Sequence, residues 1–215
     1  MTCDYQAYVG PKDKYYTLGA KTFLRLVEYG VLPSHKVLDV GCGSLRTGRT
    51  LIPYLDPNNY FGIEPEKDQL SLGLSTELSD IMVESKKPSF THSPIFDISS
   101  FPPFDWVLAI QVFIHCGEEQ LRDFLLKMSG RTRRIVLTLS ISENSSQVNH
   151  KQPERNRRYK HASHQRTTYS LPHSRKVIAE TGWKVLEDSL FVDSEKHHSL
   201  LLRGSETGIR KKSNC

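Results

Sequence analysis

A chain of 215 residues and 24.6 kDa with 37% hydrophobic side chains has the material for one α/β domain with a sizeable core. No run approaches the roughly 20 apolar residues of a membrane span, and the polar N-terminus lacks the apolar stretch of a secretory signal, so the sequence predicts a cytoplasmic protein. The dispersed Cys3, Cys42, Cys116 and Cys215 give neither a disulfide framework nor paired zinc ligands, and the net charge of +5 is concentrated, with eleven lysines and arginines against two glutamates between Arg131 and Lys176.

Residues 1–14 are polar, carry Tyr5, Tyr8 and a Gly10-Pro11 turn, and need no regular structure. Thr17 to Gly30 reads as a helix with Phe23, Leu26 and Val27 on one face, Leu24 at its edge and Gly30 as its stop. Val37-Leu38-Asp39-Val40 is a buried strand that runs into Gly41-Cys42-Gly43. Leu45, Gly48, Leu51, Ile52 and Leu55 continue as a helix, broken by Asp56-Pro57-Asn58-Asn59. Two glycines spaced by one residue permit unusual dihedrals and the close approach of a ligand, with the amides of a helix N-terminus behind them. Gly48 lets that helix lie close against the strand.

Tyr60-Phe61-Gly62-Ile63-Glu64 is a second strand, and its carboxylate follows the glycines by about 20 residues, an offset at which an acidic side chain reaches a ribose diol. Glu66 to Asp80 predicts a helix through Leu70, Leu74 and Leu78, and Ser89 to Ile95 a third strand. Phe104 to Ile110, nearly all apolar, is a central parallel strand, followed by a helix over Glu118–Met128 and a fifth strand over Arg134–Ser140. Periodicity vanishes between Ile141 and Ser170, where Ser, Asn, Gln, His and Arg dominate; this predicts a long basic loop or flap. Leu171–Thr181 is a helix closed by Gly182, Trp183–Val192 and His198–Arg203 are the last two strands, and residues 205–215 form a basic tail.

The run from Asp39 to Arg46, with an aspartate two residues before the first glycine, resembles motif I of the class I S-adenosylmethionine-dependent methyltransferases rather than the Gly-x-Gly-x-x-Gly of dinucleotide enzymes. The resemblance covers roughly Thr17 to Gly204. It implies a Rossmann-like, doubly wound, mostly parallel seven-stranded sheet with an antiparallel last strand, forming a single domain of residues 1–204. A leading helix over about residues 17–30 would serve as a lid. It also implies S-adenosylmethionine as cofactor and S-adenosylhomocysteine as product, bound by Asp39, Gly41, Cys42, Gly43, Arg46, Glu64 and Pro65. Asp97, after the third strand, would stand near the adenine amino group, with a turn cap as the competing reading, and Gln111 would face the cofactor from the end of the fourth strand. Two family features are missing. Ser129-Gly130-Arg131-Thr132-Arg133 replaces the usual Pro-Gly-Gly turn, and the Asn/Asp-Pro-Pro-aromatic run of amino-methylating DNA enzymes is absent.

Methyl transfer to an oxygen or nitrogen needs alignment and exclusion of water, and a general base only where the acceptor arrives protonated. His115 is the candidate base, with a packing or capping histidine as the alternative. Arg46 suits a carboxylate, either of the cofactor's methionine part or of an acidic acceptor, and is otherwise a surface arginine. Tyr15 and Tyr16 are candidates for the lid and for acceptor contact, or else pack the helix on the sheet; Arg158 and His164 would reach the acceptor from the basic loop. Arg155, Arg157, Arg158 and Arg166 suit an anionic small molecule, the preferred acceptor. The alternatives are a nucleic acid, with Tyr159 and Tyr169 stacking on bases, and a binding protein of this fold without turnover. No Ser-His-Asp order and no metal cluster is present in the sequence.

Overall fold

A computed structural model describes residues 5–10, 12–142, 147–151, 165–190 and 197–204. The chain divides into two compact units, one running to Phe101 and the other beginning at Pro102.

In the first unit three short parallel strands, β1 (Val37–Val40), β2 (Tyr60–Ile63) and β3 (Ser89–Thr91), lie in the order β1-β2-β3, with Val40 beside Ile63 and Ile63 beside Thr91. Every residue of β1 and β2 is buried, as their apolar runs require. The leading helix α1 (Tyr15–Glu28) buries Tyr15, Leu18, Gly19, Thr22 and Leu26. This face is displaced from the one the sequence suggested: Phe23 stays half-buried at the rim, edge-on to Tyr54, and Val27 is exposed. The polar Thr22 can take the core position because its hydroxyl donates to the Leu18 carbonyl at 2.8 Å.

Helix α2 (Gly48–Tyr54) starts five residues after Gly43, since Leu45 holds a left-handed φ of 66° and keeps the intervening chain in turns. The single helix expected after β2 is two, α3 (Lys67–Glu77) and α4 (Asp80–Lys86); Leu78 is extended, and the Ser79 hydroxyl caps α4 by accepting from Met82 N. Residues 5–9 and 12–14 form two 3-10 turns where no regular structure was expected.

The second unit is built on β4 (Trp106–Ala109) and β5 (Arg134–Ile141), parallel and joined through α5 (Glu118–Met128). The final strands β8 (Trp183–Leu190) and β9 (His197–Gly204) form an antiparallel pair, and β9 runs antiparallel along β5 from Arg134 opposite Arg203 to Ser140 opposite His197. Helix α6 (Leu171–Glu180) precedes them. Its cap is Ser170, and it ends before Gly182, whose φ of 83° suits the turn. The Trp183 indole donates to the Leu125 carbonyl at 2.9 Å and fixes the start of β8 against α5.

Nine strands lie among the described residues, not seven. The extra pair, β6 (Gln147–Lys151) and β7 (Gln165–Tyr169), comes from the stretch read as a loop; the two are antiparallel, and β7 runs parallel to the end of β5. Thr167, Thr168 and Tyr169 carry β-branched and aromatic side chains that suit a strand, and Thr167 and Tyr169 are fully buried; three residues are too few for a period to show. Arg155, Arg157, Arg158, Tyr159, His164 and the 205–215 tail lie outside the described residues. Among the described residues no helix is long and apolar enough to cross a membrane.

Gly48 has a specific packing role. A Cβ there would lie 2.7 Å from the Tyr60 hydroxyl, which donates to Asp39 at 2.8 Å. Gly48→Ala should therefore destabilise by about 1–3 kcal/mol despite the better helix propensity of alanine. In a Tyr60→Phe background the same change should cost markedly less. Urea denaturation followed by far-UV circular dichroism measures both; equal costs in the two backgrounds would contradict the assignment.

Candidate functional site

The glycine turn of the first unit wraps around the end of β2. Gly41 and Gly43 hold φ of 65° and 57°, a region that admits glycine without strain. The amides of Gly41 and Cys42 both donate to the Ile63 carbonyl, at 2.8 and 3.1 Å. The next amide, Gly43 N, donates to Glu64 Oε2 at 2.9 Å, and Glu66 N donates to Oε1 at 3.0 Å. The amides that face the carboxylate thus belong to the loop and not to a helix N-terminus, which lies beyond at Gly48.

Glu64 is 7% exposed, and burial pushes its carboxyl above the ordinary value, opposed by the Glu66 and Gly43 amides. A carboxylate has about four acceptor positions, so with one amide on each oxygen it retains capacity for the two hydroxyls of a ribose. Its backbone carbonyl accepts from His92 Nδ1 at 2.7 Å. A carbonyl cannot donate, so that ring nitrogen carries the proton.

Asp39 is also buried, and desolvation raises it from 3.8 to about 6, against the Tyr60 hydrogen bond and the Arg46 charge. It accepts from the Tyr60 hydroxyl, which makes it a brace between β1 and β2 beneath the turn. Cys42 packs its Sγ toward Gly62, where a Cβ would lie 3.0 Å from the sulfur, and burial pushes its thiol up. Pro65 links Glu64 to Glu66 and is half-buried.

Arg46 lies in the turn before α2, 6% exposed, and its Nη1 donates to the Val9 carbonyl. Tyr15 and Tyr16 divide. The Tyr15 ring is buried, with its hydroxyl donating to the Ser44 carbonyl at 2.6 Å, whereas Tyr16 is 47% exposed and stacks under the Arg49 guanidinium at 4.6 Å. Tyr15 is thus a clamp on the glycine turn. Asp97 is exposed and its Oδ1 accepts from Ser99 N at 2.9 Å, as in a turn cap.

Gln111 and His115 belong to the second unit. Gln111 holds a left-handed φ of 60° just past β4, an uncommon conformation for a residue with a Cβ. His115 closes a turn by donating its amide to the Val112 carbonyl at 3.0 Å. A second histidine pairs with a carboxylate: His173 Nε2 lies 2.8 Å from Glu118 Oε2, and Arg122 Nε donates to Glu118 Oε1 at 2.7 Å. Burial would raise Glu118, but these bonds outweigh it and hold the carboxyl below its ordinary range. The His173 ring stacks on Tyr169 at 6.2 Å. Sequence reading missed Tyr60, which stands opposite Val37 and reaches Asp39 two residues along the neighbouring strand, as well as His92 and the Glu118–His173 pair.

No protein-family profile and no curated protein matches the chain. Solved structures do. A magnesium protoporphyrin IX methyltransferase (ChlM) from Synechocystis PCC 6803 with bound S-adenosylmethionine is 16% identical with a TM-score of 0.64, over 90% of this chain and 81% of its own. An S-adenosylmethionine-dependent methyltransferase from Clostridium acetobutylicum ATCC 824 is 11% identical with a TM-score of 0.66, over 94% and 96%. The glycopeptide N-methyltransferase MtfA complexed with S-adenosylmethionine is 13% identical with a TM-score of 0.63, over 87% and 94%. The chain has the Rossmann-like fold of the class I methyltransferases.

The raised Asp39 carboxyl has a pH signature. Between its unfolded value of 3.8 and about 6 the native state keeps a proton that the unfolded chain loses, so this group's contribution falls as pH rises through that window. Above the window the penalty is about 3 kcal/mol. Asp39→Asn keeps an acceptor for Tyr60, and its stability relative to wild type should improve by up to that amount between about pH 4 and pH 7. Urea denaturation at the two pH values reads it, and a difference that stays constant would refute the buried, charge-disfavouring environment.

Proposed function

We propose that the chain is an S-adenosylmethionine-dependent methyltransferase, one catalytic domain of the cytoplasm, that methylates an oxygen or nitrogen of a small, anionic acceptor. The observation that carries this reading is the Glu64 carboxylate at the end of β2, oriented by two loop amides with acceptor capacity to spare, beside two left-handed glycines. The fold neighbours with bound S-adenosylmethionine support the cofactor, and those named for a porphyrin and a glycopeptide support an acceptor other than nucleic acid.

When bound, the cofactor supplies a methyl group activated by a sulfonium. The chain's own residues then have four tasks. Glu64 would hold the ribose diol; the Gly41–Gly43 turn would let the ligand's chain approach the backbone; Arg46 would take the amino-acid carboxylate; and Asp39 with Tyr60 keeps the turn and β2 in register. A general base is needed only where the acceptor arrives protonated, and His115 is the candidate from the sequence. A nucleic-acid acceptor is supported only by the charge of residues 131–176.

Calorimetric titration with S-adenosylhomocysteine, with NAD as control, tests the reading. Wild type should bind the first and not the second, and Glu64→Ala should weaken binding by about 1–3 kcal/mol, a loss of roughly 5- to 150-fold. Unchanged affinity in Glu64→Ala would remove the ribose assignment, and no binding by folded wild type would remove the cofactor.

A further inference from the structure

The first 3-10 turn, Tyr5–Val9, lies directly on the glycine loop. Gly43 has no Cβ, and the space a Cβ would take is filled from one side by Val9 Cγ1 and from another by Gln69 Nε2. The carbonyl of the same Val9 accepts from Arg46 Nη1. One residue of the N-terminal strap therefore holds both places that the glycine loop would offer to the amino-acid end of a ligand: the open face of Gly43 and the guanidinium of Arg46.

The strap is held at its other end by a polar clasp. Tyr5 donates its hydroxyl to Glu77 Oε1 at 2.7 Å, and Arg49 Nε lies 2.8 Å from Glu77 Oε2. Gln6 Nε2 donates to the Tyr16 hydroxyl at 2.8 Å. The turn itself is five residues of 3-10 helix, a conformation with poor hydrogen-bond geometry, and its residues are at most half-buried where described. Besides these bonds the Tyr5 ring packs edge-on against Tyr15 with centroids 5.8 Å apart, and a short 3-10 segment at the surface is of the kind that opens locally below the global unfolding free energy.

The chemistry at Arg46 sets the direction of the competition. The Val9 carbonyl is a neutral acceptor that takes one N–H, whereas a carboxylate accepts a guanidinium through two charge-assisted bonds. We propose that the Tyr5–Val9 strap is an internal placeholder, which occupies Gly43 and Arg46 until it is displaced by ligands that carry a carboxylate. The inference rests on the cofactor reading above and adds to it a built-in competitor that lowers apparent affinity by the fraction of molecules in which the strap is closed. Ligands without a carboxylate have no means to displace Val9 from Arg46.

The test compares two ligands by calorimetry on full-length protein. S-adenosylhomocysteine has the amino-acid tail; 5′-methylthioadenosine has the same nucleoside and thioether without carboxylate or ammonium. Tyr5→Phe removes the donor to Glu77 and is isosteric enough to fold, and Val9→Gly empties the space over Gly43. Each should bind S-adenosylhomocysteine about three- to tenfold more tightly than wild type, with faster association in stopped flow, and bind 5′-methylthioadenosine within about twofold of wild type. Unchanged or weakened S-adenosylhomocysteine binding in both variants, or equal tightening for both ligands, would overturn the placeholder while leaving the cofactor reading intact. Failure of wild type to bind either ligand would overturn the cofactor reading, and the placeholder with it.

Discussion

The first unit depends on one buried carboxylate accepting from two backbone amides. Glu64 ties Gly43 of the β1–α2 turn to Glu66 at the start of the next connection, and its carbonyl takes the His92 ring from beyond β3. A single residue thus sets the spacing of three successive connections at the same edge of the parallel strands. The arrangement holds charge where burial disfavours it, and the amides supply the compensation that water would otherwise give. Beneath it the Asp39–Tyr60 bond does similar work between β1 and β2, and Gly48 keeps the space open for the tyrosine hydroxyl.

The parts of this arrangement that follow from local pattern were legible in the sequence. The apolar runs of β1, β2 and β4 could only be buried strands, the α5 boundaries at Glu118 and Met128 agree with the structure, and the offset from the glycines to Glu64 placed a carboxylate beside the turn. What sequence could not supply was register and conformation. Leu45 gives no sign that it will adopt a left-handed φ, yet that one dihedral delays α2, so that the amide facing Glu64 belongs to a loop and not to a helix N-terminus. The buried face of α1 was misplaced because its stripe includes Tyr15, Gly19 and Thr22, which count as polar or neutral; the Tyr15 and Thr22 hydroxyls can be buried because they donate to the Ser44 and Leu18 carbonyls. Strands β6 and β7 were hidden by polarity: a pair that builds on β5 only at its last residues needs few apolar positions.

The same distinction applies to candidate side chains. Spacing alone placed Glu64 at the turn, but it left both readings of Asp97 open and gave no sign of the Glu118–His173 pair. The second histidine is distinguished only by a carboxylate 55 residues away in the chain, delivered by the packing of α5 against α6. Long-range pairings of this kind are a property of topology, and composition leaves no trace of them.

The distribution of aromatic residues has an optical consequence. Both tryptophans, Trp106 on β4 and Trp183 on β8, are buried in the second unit, one beneath the Arg134 guanidinium and the other hydrogen-bonded to Leu125. Seven of the nine tyrosines lie between Tyr5 and Tyr60, within the first unit. Emission excited at the red edge of the indole band therefore follows the packing of the second unit, and tyrosine emission mainly follows the first. The protein contains two intrinsic fluorophores, so loosening of either unit can be watched separately without a label.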